Sequence, residues 1–163
     1  SKSASTTGLF PDFIRFPASS PSPAGSGFLE GPYDGSYRYN ACRVPWRLGV
    51  HFLTSGEPRA AALLSKINGW VKTKTAGDPD NIEAGYWLDG DTLPGSSYFS
   101  TAFAGPLGVA AMSDGAHQDW LNKIWTTLDQ RALDGAYYED TIKILTMIAM
   151  SGNWWAPEKA PCP

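Results

Sequence analysis

Apolar residues recur at spacings of three and four in five segments of this chain, the pattern of helices that bury one face. We predict helices over residues 42–55, 58–73, 98–113, 117–133 and 137–151. Pro58 suits the first turn of the second helix, and the Gly-Pro pair at 105–106 predicts an interruption of the third. No segment shows the alternation of a good strand, so the pattern predicts an all-α fold.

Two segments lack the helical periodicity. Residues 1–27 are rich in Pro, Ser and Gly and are predicted to form an irregular N-terminal arm. Residues 75–97 form a long loop rich in Gly, Asp and Pro, with one aromatic pair, Tyr86-Trp87. Loops of this length are usually functional or mobile, so this loop is a candidate functional element.

Three of the apolar segments end in Ser-Gly or Ser-Asp-Gly, at 55–56, 113–115 and 151–152. Glycine after the last periodic residue is a common helix stop. Helices that repeatedly stop in the same way predict an array or toroid of paired helices. A plain bundle with ordinary glycine caps is the alternative interpretation.

Composition narrows the function classes. Of the 163 residues, 42% are hydrophobic and 13% aromatic, with seven Trp, which indicates a globular protein. The net charge is −3 and Lys and Arg form no cluster, so we expect no nucleic-acid partner. No apolar run approaches about 18 residues, so we expect no membrane span. The chain begins SKSASTTGLF, and we expect it to have been processed, cut from a longer precursor or begun at an internal point.

The two cysteines, Cys42 and Cys162, permit one disulfide but do not require it. Arg43, next to Cys42, would lower the pKa of that thiol, although a buried or disulfide-bonded cysteine is the simpler interpretation. Neither the cysteines nor His51 and His117 have the spacing of a metal site, so we predict no metal and no cofactor.

Carboxylates are the candidate catalytic groups, because no G-x-S-x-G elbow or other setting for a nucleophile occurs. Glu30 lies in a tight turn, L-E-G-P, and Asp34 follows in a second turn, among Tyr33, Tyr37 and Tyr39. Rings that stack on sugars, beside a carboxylate that polarises water, are typical of sugar chemistry. Asp34 and Tyr37 are therefore candidate substrate contacts. Solvated turn residues are the alternative interpretation of Glu30 and Asp34.

Three motifs in this chain resemble glycoside hydrolase family 8. YNACRVPWR at 39–47 resembles the signature of the family's second half. SYFSTAFAGPLGVAAM at 97–112 resembles the family's S-x-x-F-x-A-P-x-x-V-A-A-M helix, and YYEDTIKILTMIAMSGNWW at 137–155 resembles its closing segment. The family consists of secreted, endo-acting enzymes with an (α/α)6 barrel of six inner and six outer helices. They cut β-1,4-linked glucan, xylan or chitosan with inversion.

The resemblance implies that this chain forms about half of such a barrel, because five helices cannot close one. Residues 28–163 would be the C-terminal half of the catalytic domain, after the arm at 1–27. The family's general acid is a Glu in the other half, whose A-S/T-D-A-D signature is absent from this sequence. We therefore expect the N-terminal half of the same enzyme as a partner, on a second chain or segment.

The resemblance also implies roles for individual residues. Many family members have an Asp base where this chain has Asn40. The subgroup with Asn there, which includes Bacillus-type chitosanases and mixed-linkage glucanases, uses a Glu in a loop just upstream, and Glu30 matches that position. Glu30 would be the base and Asn40 would hold the water or the sugar; an inactivating Asp-to-Asn substitution is the alternative. Arg43, Tyr137 and Tyr138 match positions that contact the site or line the cleft.

Acidic residues in the two long loops favour a polycationic substrate, chitosan, over β-glucan. They are Asp34, Asp78, Asp80, Glu83, Asp89 and Asp91. The leading hypothesis is a secreted, inverting endo-chitosanase, with a β-1,3-1,4-glucanase or cellulase as the alternative within the family. A non-catalytic carbohydrate-binding module, suggested by the seven Trp and the missing acid, is the alternative of another class. A lyase on an α/α toroid is a third.

Overall fold

All five predicted helices are present in the computed structural model, which describes residues 6–16 and 18–155. They are α1 Val44–Ser55, α2 Pro58–Lys74, α3 Thr101–Ala111, α4 Gln118–Asp129 and α5 Tyr137–Met150. A 3₁₀ turn at Ala41–Arg43 leads into α1. Helix α4 is shorter than predicted, because its apolar stripe stops at the buried Leu128 and the chain then turns away. Among the described residues, none of the helices combines the length and the apolarity needed to cross a membrane.

Helix α3 is the centre of the core. Every residue from Ala102 to Ala111 is buried, and α3 packs against each of the other four helices. The predicted interruption at Gly105-Pro106 is wrong, since α3 continues through Pro106. Burial of the whole helix offsets the hydrogen bond that the proline removes. Gly105 instead permits close packing: a Cβ there would lie 3.1 Å from Cβ of Thr146 on α5.

The helix stops follow the predicted glycines in part. Gly56 ends α1 in the left-handed conformation, with φ of 70°, and Gly152 has φ of 78° just after α5. Gly115 does not end α3; it begins a separate 3₁₀ turn at Gly115–His117. Helices α1 and α2 are joined by the short turn at Gly56 and pack against each other, which agrees with the paired helices of a toroid.

The N-terminal arm is more ordered than predicted. A short antiparallel pair joins β1 Ile14–Arg15 to β2 Ser22–Pro23. The amides of Asp12 and Phe13 donate to the carbonyls of Ser36 and Asp34, at 2.8 and 2.9 Å. These bonds, rather than any periodicity, fix the arm beside residues 34–41, which is why the sequence pattern gives no sign of them.

The long loop at 75–97 is also anchored. Tyr37 and Tyr86 exchange both backbone hydrogen bonds, at 2.9 and 3.0 Å, and Tyr86 is completely buried. Ile82, Ala84 and Leu93 are buried beside it. The loop is therefore part of the core and holds its neighbours in place.

Candidate active site

Glu30 stands at the exposed tip of a loop that Asp34 holds together. The Asp34 carboxylate is 3% exposed and accepts the amide N–H groups of Leu29 (2.6 Å), Gly31 (2.9 Å) and Glu30 itself (3.2 Å). Desolvation raises the pKa of Asp34, but the backbone donors outweigh it and the net pKa is lowered. The prediction that Asp34 contacts substrate is corrected: its oxygens face the loop backbone and position Glu30.

Glu30, Asn40 and Arg43 form one hydrogen-bonded chain. Asn40 Nδ2 donates to Glu30 Oε2 at 2.9 Å, and Arg43 Nη2 donates to Asn40 Oδ1 at 3.1 Å. Arg43 Nε also donates to the Asn40 carbonyl, at 3.3 Å. Both ends of the Asn40 amide are thus engaged, and one Glu30 oxygen is oriented while the other is left available for water. The structure brings together three residues that the sequence analysis singled out.

A half-buried carboxylate that the sequence analysis missed lies beside this hydrogen-bonded chain. Asp12, in the N-terminal arm, accepts the amides of Arg38 (3.0 Å) and Ala41 (2.6 Å) through Oδ1. It therefore ties down the turn that carries Asn40. Burial raises the pKa of Asp12, and the backbone donors only partly oppose this. Its partners are 26 and 29 residues away in sequence, so no local motif could have revealed it.

A depression of about 220 Å³ lies beside Glu30. Its lining consists of Asp12, Glu30, Gly31, Pro32, Tyr33, Asp34, Arg38 and Tyr39. A carboxylate at the wall of such a hollow can take a proton from a water molecule held there, provided that water and substrate reach it together.

Two tyrosines join this depression to the helices. Tyr39 Oη lies 3.0 Å from Tyr98 Oη and donates to Glu139 Oε1 at 3.3 Å. The Tyr138 hydroxyl, on α5, donates to the Tyr39 carbonyl, and the Arg43 guanidinium carbon lies 6.0 Å from the centre of the Tyr138 ring. Burial raises the pKa of both hydroxyls, which are therefore protonated donors at ordinary pH.

The remaining predicted site residues lie in contrasting settings. Tyr37 is 1% exposed and packs edge-on against Phe103, with ring centres 5.6 Å apart. The prediction that Tyr37 contacts substrate is therefore corrected: it belongs to the core, since its backbone bonds to Tyr86 turn the ring inward. Tyr137, at the start of α5, is 85% exposed and free to meet a ligand.

Cys42 is buried, as the simpler interpretation of the sequence expected. The thiol is completely buried, and this burial raises its pKa to about 12 in spite of the opposing charge of Arg43. Cys42 is therefore a core residue rather than a nucleophile. The disulfide with Cys162 that the sequence permits lies outside the described residues.

The chain is similar in sequence to two bacterial glucanases. It is 47% identical over 152 residues to the "Beta-glucanase" of Niallia circulans and 36% identical to the "Endoglucanase" of Bacillus sp. (strain KSM-330). The chain is a homologue of bacterial glucanases. Each match covers 93% of this chain but only 36% and 32% of the curated relatives, so the chain spans about a third of their length. No family model matches it.

Solved structures agree on the fold. The apo β-1,3-1,4-glucanase from Paenibacillus sp. X4 has a TM-score of 0.89 and 45% identity, over 94% of this chain and 40% of that one. Rex8A from Paenibacillus barcinonensis, at 17% identity and a TM-score of 0.71, shares the fold over 38% of its chain. The predicted fold class, an all-α part of an (α/α)6 barrel, is confirmed.

The relatives favour the glucanase alternative over chitosanase, because the names that they carry are β-glucanase and endoglucanase. Most of the acidic loop residues that favoured chitosan have local partners instead. Asp78 accepts the amide of Asp80, Asp80 pairs with Arg131 at 2.9 Å, and Glu83 accepts the Thr92 hydroxyl. Carboxylates that cap turns and pair within the chain are poor evidence for a polycationic substrate.

Proposed function

We propose that this chain carries the general base of an inverting, endo-acting β-glucanase of glycoside hydrolase family 8, with Glu30 as the base. The observation that carries the proposal is the chain of hydrogen bonds from Arg43 through Asn40 to Glu30 at the wall of a depression. It occurs in a chain 45% identical to a β-1,3-1,4-glucanase structure. The substrate is a β-linked glucan with mixed β-1,3 and β-1,4 bonds.

Glu30 acts on water rather than on the sugar. The free oxygen of Glu30 takes a proton from a water molecule in the depression while the water oxygen bonds to the anomeric carbon. The bond from that carbon to the leaving oxygen breaks on the opposite face, and a second carboxylic acid protonates the leaving oxygen. In inverting enzymes these two carboxyls stand about 6.5–9.5 Å apart.

Asn40 and Arg43 prepare the base. The amide of Asn40 fixes one Glu30 oxygen at 2.9 Å, so the carboxylate does not have to be oriented at each turnover. The neutral amide of Asn40 cannot take a proton from water and carries no negative charge, so Glu30 is the single base of the pair. This explains an Asn at position 40 without invoking an inactivating substitution.

We further propose that the general acid lies in additional helices of the same secreted enzyme, which complete the barrel around α1 and α5. Exposed apolar residues on these two helices support this. Leu53 on α1 is 46% exposed, and Ile144 and Ile148 on α5 are 43% and 39% exposed. Ile144 and Ile148 lie one helical turn apart and form a stripe that another helix can cover.

Glu30→Gln in the full-length polypeptide tests the base. The substitution keeps the size of the side chain and an oxygen that can accept from Asn40, but it removes the basic carboxylate. We expect kcat on mixed-linkage β-glucan to fall by about 10²–10⁴-fold, with the melting temperature unchanged. Glu57→Gln, at the start of α2, is the matched control and should retain activity.

Product stereochemistry provides an independent test. Freshly released sugars should carry the α-anomeric proton in NMR spectra, since a direct attack by water inverts the β-bond. Full activity in Glu30→Gln, or retained β-configuration in the product, would overturn the proposed mechanism. Hydrolysis of chitosan but not of β-glucan by the unmodified protein would overturn the proposed substrate.

A further inference from the structure

Trp87 is an exposed indole at the start of the turn of a hydrogen-bonded hairpin. Two backbone hydrogen bonds close the hairpin: the Trp87 amide donates to the Asp91 carbonyl at 2.8 Å, and the Gly90 amide donates to the Trp87 carbonyl at 3.0 Å. The Leu88 carbonyl accepts the Thr7 hydroxyl at 2.8 Å. Although Gly85, Tyr86 and Gly90 beside it are buried, Trp87 is 40% exposed.

The hairpin also contacts α2 and the strand-like segment at Tyr37. A Cβ at Gly90, where φ is 104°, would collide with the Trp70 ring, so the hairpin lies directly against α2. Tyr86, which precedes Trp87, is buried and bonded through its backbone to Tyr37. An exposed aromatic side chain on a backbone fixed by these contacts loses little conformational entropy when it binds a ligand.

Trp87 adjoins the depression that Glu30 lines. Its ring packs edge-on against Tyr33, with centres 5.5 Å apart and planes at 76°. The Arg38 guanidinium carbon lies 5.2 Å from the centre of the Tyr33 ring, and Tyr33 and Arg38 both line the depression with Glu30. The aromatic surface is therefore continuous from the candidate base to the hairpin tip.

We infer that Trp87, supported by Tyr33, is a sugar-binding platform that holds a β-glucan residue beyond the cleavage point and so selects for longer substrates. The inference rests on the proposed function, because the glucan chain that reaches Glu30 is the ligand that continues across Tyr33 to Trp87. The apolar faces of β-linked pyranoses stack on flat rings, and the hydroxyl edges remain in water. Trp87 touches substrate in this arrangement but takes no part in proton transfer.

Substrate length separates this role from a structural one. In the full-length polypeptide, Trp87→Ala should raise KM for a mixed-linkage hexasaccharide about three- to tenfold, with kcat within twofold of the unmodified protein. A trisaccharide that does not reach the platform should show no change in KM. Trp87→Phe should restore most of the loss. Asn122→Ala, which truncates an exposed residue on α4, is the control and should leave both KM values unchanged.

Fluorescence gives a second readout that does not depend on turnover. Binding of the hexasaccharide to the inactive Glu30→Gln protein should change its tryptophan emission. In the double variant Glu30→Gln/Trp87→Phe, most of that change should be absent. If the double variant shows the same change in emission as Glu30→Gln alone, Trp87 does not bind the sugar. Equal KM values for the hexasaccharide in Trp87→Ala and the unmodified protein would also contradict the inference. Either result could stand beside normal β-glucan hydrolysis that Glu30→Gln abolishes, so the platform can fail while the proposed function survives.

Discussion

Replacing Asn40 by Asp tests how the candidate site controls its charge. In the structure, Asn40 Nδ2 donates to Glu30 Oε2 at 2.9 Å. Asn40→Asp changes this donor into a carboxylate oxygen at nearly the same place. The variant then holds two negative oxygens in contact where the unmodified protein holds a hydrogen bond.

The size of the effect follows from that distance. Two unit charges 2.9 Å apart repel by about 1.4 kcal/mol at the dielectric constant of water, which is the lower limit for an exposed pair. This energy corresponds to about one pH unit. Arg43, whose Nη2 lies 3.1 Å from the oxygen at position 40, opposes part of the repulsion but cannot replace the lost donor. Because the pair resists losing its last proton, the base is formed only at higher pH.

The assay is the pH profile of kcat/KM on a mixed-linkage hexasaccharide. We expect the acidic limb of Asn40→Asp to lie about one unit higher than that of the unmodified protein, so the rate on that limb falls about tenfold. Asn122→Asp, an exposed substitution on α4, is the matched control and should leave the limb in place. An unmoved or lowered limb in Asn40→Asp would refute the reasoning. So would normal activity in the double variant Asn40→Asp/Glu30→Gln, which would make position 40 the base.

Two further predictions concern stability, measured by urea unfolding. Asp12→Ala should lower the free energy of unfolding by about 1–3 kcal/mol, because it leaves the part-buried amides of Arg38 and Ala41 without an acceptor, whereas Asp12→Asn keeps an acceptor oxygen. Because burial raises the pKa of Asp12, its ionised carboxylate disfavours folding at neutral pH, and this penalty is relieved as the pH falls through the raised pKa towards the ordinary value. The Asn variant should lack this pH dependence, and equal pH dependence in both proteins would contradict the assignment. Gly105→Ala should cost about 1–3 kcal/mol, because its methyl group collides with Thr146 on α5, and unchanged stability would show that α3 and α5 are not so closely packed.

Local patterns predicted much of the architecture. A stripe of apolar residues is repeated within each helix, so five segments and their starts at Pro58 and Tyr137 could be predicted without a partner in view. The continuity of the third helix through Pro106 was not predicted. A Gly-Pro pair weakens an isolated helix, but α3 is surrounded by four others, and packing outweighs the local preference there.

The candidate site was predicted unevenly. Glu30, Asn40 and Arg43 came from a short motif and the turn before it, and the structure links them by hydrogen bonds. Asp34 and Tyr37 belong to the same stretch, but one carboxylate faces its own loop and one ring faces the core. Residue type and spacing are alike for side chains that face a ligand and side chains that face the protein.

The sequence alone determined the helical class of this protein, its long aromatic loop and the carboxylate chemistry available to it, because periodicity, turn residues and side-chain type act over a few residues. Only the tertiary structure decided that Asp12 supports the Asn40 turn and that Trp87 extends the surface beside Glu30. Both depend on contacts between residues far apart in the chain. Such contacts form when burial of the core brings the arm and the loop together, and their energy has no local signature.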